Sequence, residues 1–174
     1  MFFMSVCYTY SVSDELHDNI VRLHVIANSN SDFDQEIKYR VRDKFISDSE
    51  KIEENGFDLE YMKHEAESVL IESGADYGAV CQFGDFYFPM KRYENIALPC
   101  GSYRAVRIIL GNGEGRNWWC VLSPPMCFTS ENVAAADGTA LSKVLSSDTI
   151  DVISDKNGIS YRFWIVEKIK ELTK

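Results

Sequence analysis

Apolar and polar residues alternate from position 20 to position 27. Val21, Leu23, Val25 and Ala27 fall on one side, and Ile20, Arg22, His24 and Ile26 on the other. A period of two predicts a strand with one dry face and one mixed face. Asn28-Ser29-Asn30-Ser31 stops it and offers helix caps. The period then lengthens to four: Phe33, Ile37, Val41 and Phe45 make the apolar stripe of an amphipathic helix. Asp32, Asp34 and Glu36 suit the positive end of its dipole, and Asp34–Lys38 and Glu36–Arg40 have ion-pair spacing. Asn55-Gly56 breaks this helix. Asp58 caps a second, with Leu59, Met62, Ala66, Val69 and Leu70 as its stripe and Gly74 as its end.

Beyond Gly74 the period returns to two. Residues 77–83, a Gly84-Asp85 turn and Phe86-Tyr87-Phe88 predict a hairpin that Pro89 ends. Residues 102–110 read as a strand with Arg104, Val106, Ile108 and Leu110 on one face. The glycine-rich turn 111–116 leads into a returning strand, 117–122, which favours a hairpin connection over a phosphate-binding loop. Residues 129–149, rich in Ser, Ala and Asp, read as a flexible loop. A helix over 158–172, with Phe163, Val166, Ile169 and Leu172 buried, closes the chain. The expected fold is a single α+β domain: a mostly antiparallel sheet, two amphipathic helices after the first strand and a C-terminal helix.

The amino end, residues 1–18, is apolar and aromatic before turning polar at Asp14-Glu15, and it lacks the basic head of a secretory signal. It is either a shortened export segment or a ragged end folded onto the core; residues 19–174 form the domain. Charge adds a second distinction. The chain carries 18 Lys+Arg and 27 Asp+Glu, net −9, and positions 31–75 hold 6 of the bases and 13 of the acids, or −7. The acidity therefore belongs to the two helices, as a solvated outer face. With no basic stripe, sequence-independent nucleic-acid binding is disfavoured. No apolar run approaches the roughly 20 residues of a membrane span.

Candidate chemistry is sparse. Trp118 and Trp119 are adjacent in a strand and face opposite ways, so one anchors the sheet while the other lies under a helix or loop or is open to a partner; alternatively, helices cover both faces. Five cysteines cannot all pair within one chain. Cys120 and Cys127 bracket a loop with two prolines in which two sulfurs can meet, or they are simply buried thiols. A Cys120 nucleophile with His24 as base is conceivable, but nothing brings the two together. No metal-ligand spacing, G-x-S-x-G, H-E-x-x-H or Walker sequence is present. An interaction protein outranks an enzyme, and no cofactor or small-molecule substrate is expected. A cell-wall-directed binding module or a Cys-dependent hydrolase is the alternative.

Several blocks together resemble the stage II sporulation protein R family. They are Arg22-Leu23-His24-Val25-Ile26-Ala27-Asn28-Ser29, Val41-Arg42-Asp43, Phe88-Pro89-Met90-Lys91, Leu98-Pro99-Cys100-Gly101-Ser102-Tyr103 with Arg107, and Asn117-Trp118-Trp119-Cys120 through Pro124-Pro125-Met126-Cys127-Phe128. Met90, Cys100 and Ser123 depart from the family's usual residues. The resemblance implies a protein made in the forespore of endospore-forming bacteria and secreted into the space between forespore and mother cell. There it activates a membrane-embedded aspartic protease that processes pro-sigma-E. It also favours a Cys120–Cys127 bridge in that compartment. On this reading Arg22, His24, Asn28, Trp118, Trp119, Pro124, Pro125 and Phe128 form one partner-binding surface. The physical motive is that both segments end in irregular turns and that polar residues occupy a mixed strand face.

Overall fold

The computed structural model describes residues 2–93, 96–124 and 141–154. The opening alternation becomes β1 (Val21–Ile26), which lies inside the sheet rather than at its edge. Its neighbours are β5 (Gly101–Leu110), parallel to it, and β6 (Asn117–Ser123), antiparallel. β2 (Ala79–Phe88) pairs antiparallel with β5, so the four-stranded order is β2–β5–β1–β6 and two of its three pairings are antiparallel. A small ribbon of β3 (Lys91–Arg92) and β4 (Ala97–Leu98) fills the connection from β2 to β5. This is the α+β domain expected from the alternation of periods.

Two expected hairpins are absent. Gly84 and Asp85 pair with Ala105 and Arg104 in mid-strand, so β2 is one continuous strand and not a hairpin. A glycine and an aspartate resemble a turn locally, but ten successive pairings with β5 override that preference. The 111–116 turn joins strands that are not neighbours, because β1 lies between β5 and β6. It is a crossover around the end of β1.

One face of the sheet carries α2 (Asp32–Ser47), α3 (Ser49–Glu54) and α4 (Leu59–Ser73). Ser31 caps α2 through a side-chain bond to the Asp34 amide; Asp58 caps α4 the same way through Tyr61, and Gly74 closes it at φ +76°. The helix breaks at Asp48, earlier than Asn55-Gly56 suggested. The stripe begins at Ile37, since Phe33 is half exposed while Asp34 is buried. Neither expected ion pair forms. Lys38 turns to Gln35 and the Arg116 carbonyl, and Arg40 turns to Ser73 and Glu72. Beneath the helices lies an aliphatic core of Leu23, Val25, Ile37, Val41, Phe45, Met62, Val106 and Ile108. Each such side chain contributes about 1.5–3 kcal/mol by leaving water.

The opposite face is covered by α1 (Phe2–Asn19), the β3–β4 ribbon, a 3-10 turn (Leu141–Lys143) and α5 (Ser147–Ser154). The second half of α1 is folded onto the core. Val12, Leu16 and Ile20 recur every four residues and are all buried in this second core. The expected loop at 129–149 is likewise shorter, since 141–143 and 147 onward are helical and Leu141, Leu145 and Ile153 are buried. Its remainder, and the expected helix at 158–172, lie outside the described residues. Among the described residues no helix is long and apolar enough to cross a membrane.

Candidate functional site

Strand β6 carries two different constellations, one on each face. Its outward register places His24 opposite Trp119 and Val25 opposite Trp118, so the two tryptophans point to opposite sides, as alternation requires. The single surface proposed for both is therefore corrected to two.

On the side covered by α1, Trp119 stacks on His24 with ring centroids 5.5 Å apart, and His24 Nε2–H donates to Asn117 Oδ1 at 2.8 Å. Burial, followed by the positive charge of Arg107, pushes the His24 pKa down, although the Asn117 bond opposes this. Arg22 lies deeper and is fully enclosed, at 0% exposure. Its Nε donates to the Cys120 carbonyl at 3.0 Å, and its guanidinium carbon sits 4.6 Å from the Phe88 ring centre and 5.0 Å from that of Tyr103. The Tyr93 hydroxyl faces the guanidinium, and no carboxylate pairs with Arg22 among the described residues. Arg22 is a core residue and not part of an exposed surface, because the mixed strand face is covered by α1 and the ribbon.

Trp118 faces the helices. Tyr39 meets it edge-on at 5.5 Å, and the Arg42 guanidinium lies 4.6 Å over its ring. Arg42 also lies 4.9 Å over Tyr39, whose ring holds Lys38 Nζ at 4.5 Å. Lys38 Nζ donates to Gln35 Oε1 at 2.6 Å and to the Arg116 carbonyl at 3.3 Å. Burial, then the charges of Arg116 and Arg42, push its pKa down. Sequence reasoning gave Lys38 to an ion pair with Asp34 and Arg42 to a family block, and placed none of Lys38, Tyr39, Arg42 and Arg116 in a site. The available signal was Lys38 and Arg42, spaced by four beside the buried Ile37 and Val41, where a solvated charge is not expected.

Asn28 belongs to neither constellation. Its Oδ1 accepts from the Asn112 amide at 2.9 Å and its Nδ2 donates to Asp34 at 3.0 Å. Asp34 also accepts from Ser29 and Tyr77, and these hydrogen bonds together outweigh burial to hold its carboxyl below its ordinary pKa. The glycine turn closes over this knot: Gly115 N donates to the Ala27 carbonyl and Glu114 N to that of Asn28. A Cβ on Gly115 would fall 2.2 Å from the Ser29 carbonyl oxygen. The two turns are halves of one crossover lock, which gives Asn28 and Gly115 a structural role.

Pro124 follows β6 through a cis Ser123–Pro124 peptide, and Ser123 Oγ donates to Glu53 Oε2 at 2.7 Å, tying the strand end to α3. Pro125, Cys127 and Phe128 lie outside the described residues. Cys120 is disulfide-bonded and buried in the helix-side core, whereas His24 is on the other face. The Cys120–His24 nucleophile is thereby overturned. Cys81 and Cys100 are free thiols.

The family model described as stage II sporulation protein R matches residues 17–133. Stage II sporulation protein R of Bacillus subtilis (strain 168) is 32% identical over 183 aligned positions, covering 89% of this chain and 82% of that protein. No solved structure matches.

Proposed function

The chain belongs to the stage II sporulation protein R family, and from that premise we propose that it is a secreted signal of endospore formation. In this reading it leaves the forespore, enters the space between forespore and mother cell, and activates the membrane-embedded aspartic protease that processes pro-sigma-E. It acts as a ligand, and the protease does the chemistry. The observation that carries the reading is the family match over most of the chain, including the whole Trp-Trp-Cys strand. The loss of the Cys120–His24 pair removes the mechanism of the rival Cys-dependent hydrolase. Of the expected contact residues, Trp118, Trp119 and His24 are the ones only partly buried on the strand pair β1–β6.

Co-expression of the full chain with the protease and pro-sigma-E tests this. Cleavage that appears only with the chain present supports signalling, and identical cleavage without it refutes the role. Retention on peptidoglycan would favour the wall-binding alternative.

The proposal extends to the bridge. Cys127 as the partner of Cys120 leaves three of the five cysteines free in denatured, unreduced protein. Cys127→Ser should then raise the free-thiol count from three to four, by releasing Cys120. A fall to two would show that Cys120 pairs elsewhere.

A further inference from the structure

The helical layer is the acidic part of the molecule, with 13 acidic and 6 basic residues between positions 31 and 75. Against that background, the surroundings of Trp118 are anomalous. Lys38, Arg42 and Arg116 converge there, and the only carboxylate paired with any of them among the described residues is Asp43, at 2.7 Å from Arg42 Nη2. Lys38 is 2% exposed and has no carboxylate partner among the described residues. Its two hydrogen bonds could be made by a neutral donor, so fold stability alone gives no reason for a buried ammonium between two guanidinium groups. The Arg116 side chain is exposed and uses only its backbone for the contacts to Asn30 and Lys38. Tyr39, 39% exposed, roofs the cluster, and Trp118 Nε1 is a buried donor with no acceptor among the described residues. Donors and positive charge are in surplus, next to an aromatic surface of the kind that anchors protein partners.

We propose that this cationic, aromatic patch on α2 and β6 docks an acidic peptide segment of the protein that the chain activates. A carboxylate of that segment pairs with the exposed Arg116, the enclosed Lys38 and Arg42 add their positive field from beneath, and apolar atoms of the segment lie against Tyr39 and the open edge of Trp118. Elsewhere on the helical layer the acidic exterior repels the same segment, which sets this patch apart on that layer. Identifying the occupant as the activated protease rests on the function proposed above; the acidic chemistry of the ligand does not.

Two measurements separate these points. The first is fluorescence anisotropy of a fluorescein-labelled hexaglutamate peptide titrated with the full chain at low salt. Wild type, Arg116→Lys and Lys63→Glu should bind alike, since Lys63 carries the same charge on the helical layer but pairs with Glu67. Arg116→Glu should weaken binding by about tenfold or more, with an unchanged melting temperature because the side chain is exposed. No binding by wild type, or equal binding by Arg116→Glu, overturns the patch. Equal losses in Arg116→Glu and Lys63→Glu also overturn it, since net charge alone would then be responsible. The second is pro-sigma-E cleavage in co-expression. Cleavage by wild type and not by Arg116→Glu supports the protease as occupant, and full cleavage by Arg116→Glu overturns that assignment. No cleavage by wild type refutes the signalling role, while the peptide titration still decides the patch.

Discussion

The two faces of the sheet solve the problem of covering a strand in different ways. On the helix side, β1 offers Val21, Leu23 and Val25 to an aliphatic layer, and the buried charges Lys38 and Arg42 come from α2 rather than from the strand. On the α1 side, the same strand offers Arg22 and His24, and the cover is built of aromatic rings and polar ties. Glu15 illustrates those ties. It accepts hydrogen bonds from Ser146 and Thr149, which outweigh burial and lower its pKa, and so joins α1 to α5. An aliphatic face is stable almost regardless of detail, whereas a face built round a buried cation depends on a few exact neighbours. The second face should therefore be the more sensitive to substitution.

Arg22 gives the largest expected effect. Arg22→Ala removes a fully buried side chain packed on Phe88 and Tyr103, and should cost roughly 3–5 kcal/mol in denaturant unfolding. Arg22→Met keeps most of the volume and removes a charge with no carboxylate among the described residues. It should lie within about 1 kcal/mol of wild type, or above it. A Met variant as unstable as the Ala variant would mean that the guanidinium itself holds this face together. A stable Met variant that no longer supports pro-sigma-E cleavage would return Arg22 to a signalling role.

Which parts of this contrast could be read from residue order follows from how local each signal is. Alternation in β1 and the opposed tryptophans needed only neighbouring residues, as did the caps at Ser31, Asp58 and Gly74. The enclosure of Arg22 depends on α1 and the ribbon, which approach from distant parts of the chain. Even so, the four-residue spacing of Val12, Leu16 and Ile20 carried a helix signal that the Ser- and Tyr-rich composition obscured. Gly84-Asp85 failed for the opposite reason, because a valid local turn preference lost to pairing with β5. The 111–115 turn was read as a hairpin because local sequence cannot say that β1 lies between the strands it joins. The cationic patch was missed because Lys38, Arg42 and Arg116 come together only after that crossover.

The crossover lock ties the ends of β1, β5 and β6, the strands that both faces share, to the start of α2, so damage there asks whether the two faces fold as one unit. Gly115→Ala drives a methyl to within 2.2 Å of the Ser29 carbonyl, a backbone atom that cannot swing away. A cost of about 2–3 kcal/mol is expected. Far-UV and near-UV unfolding curves should shift together, since β1 ends and α2 starts at this knot. Two separated transitions would show that the faces unfold independently.

The smallest effect is a pair of opposed pH dependences on the α1 side. His24 has a lowered pKa, with burial as the main cause, so the unfolded chain takes up a proton below about pH 6.5 that the folded chain resists. Its contribution therefore falls as the solution is acidified from there towards the lowered value. His17 sits at the rim, with Nδ1 3.1 Å from Asp18 and Nε2 3.0 Å from Asp85. Burial would lower its pKa, but the hydrogen bonds and charges of the two aspartates together raise it. Its stabilisation is complete below 6.5 and is lost as pH rises through the raised value. Melting temperatures from about pH 5 to pH 8 resolve the pair, a range in which unperturbed carboxylates stay ionised. His24→Gln should flatten the acid-side decline and leave the alkaline side alone, and His17→Gln should do the reverse. Parallel profiles for both variants would mean that rim and interior of this face share one environment, against the ring stacking at His24 and the exposed carboxylates at His17.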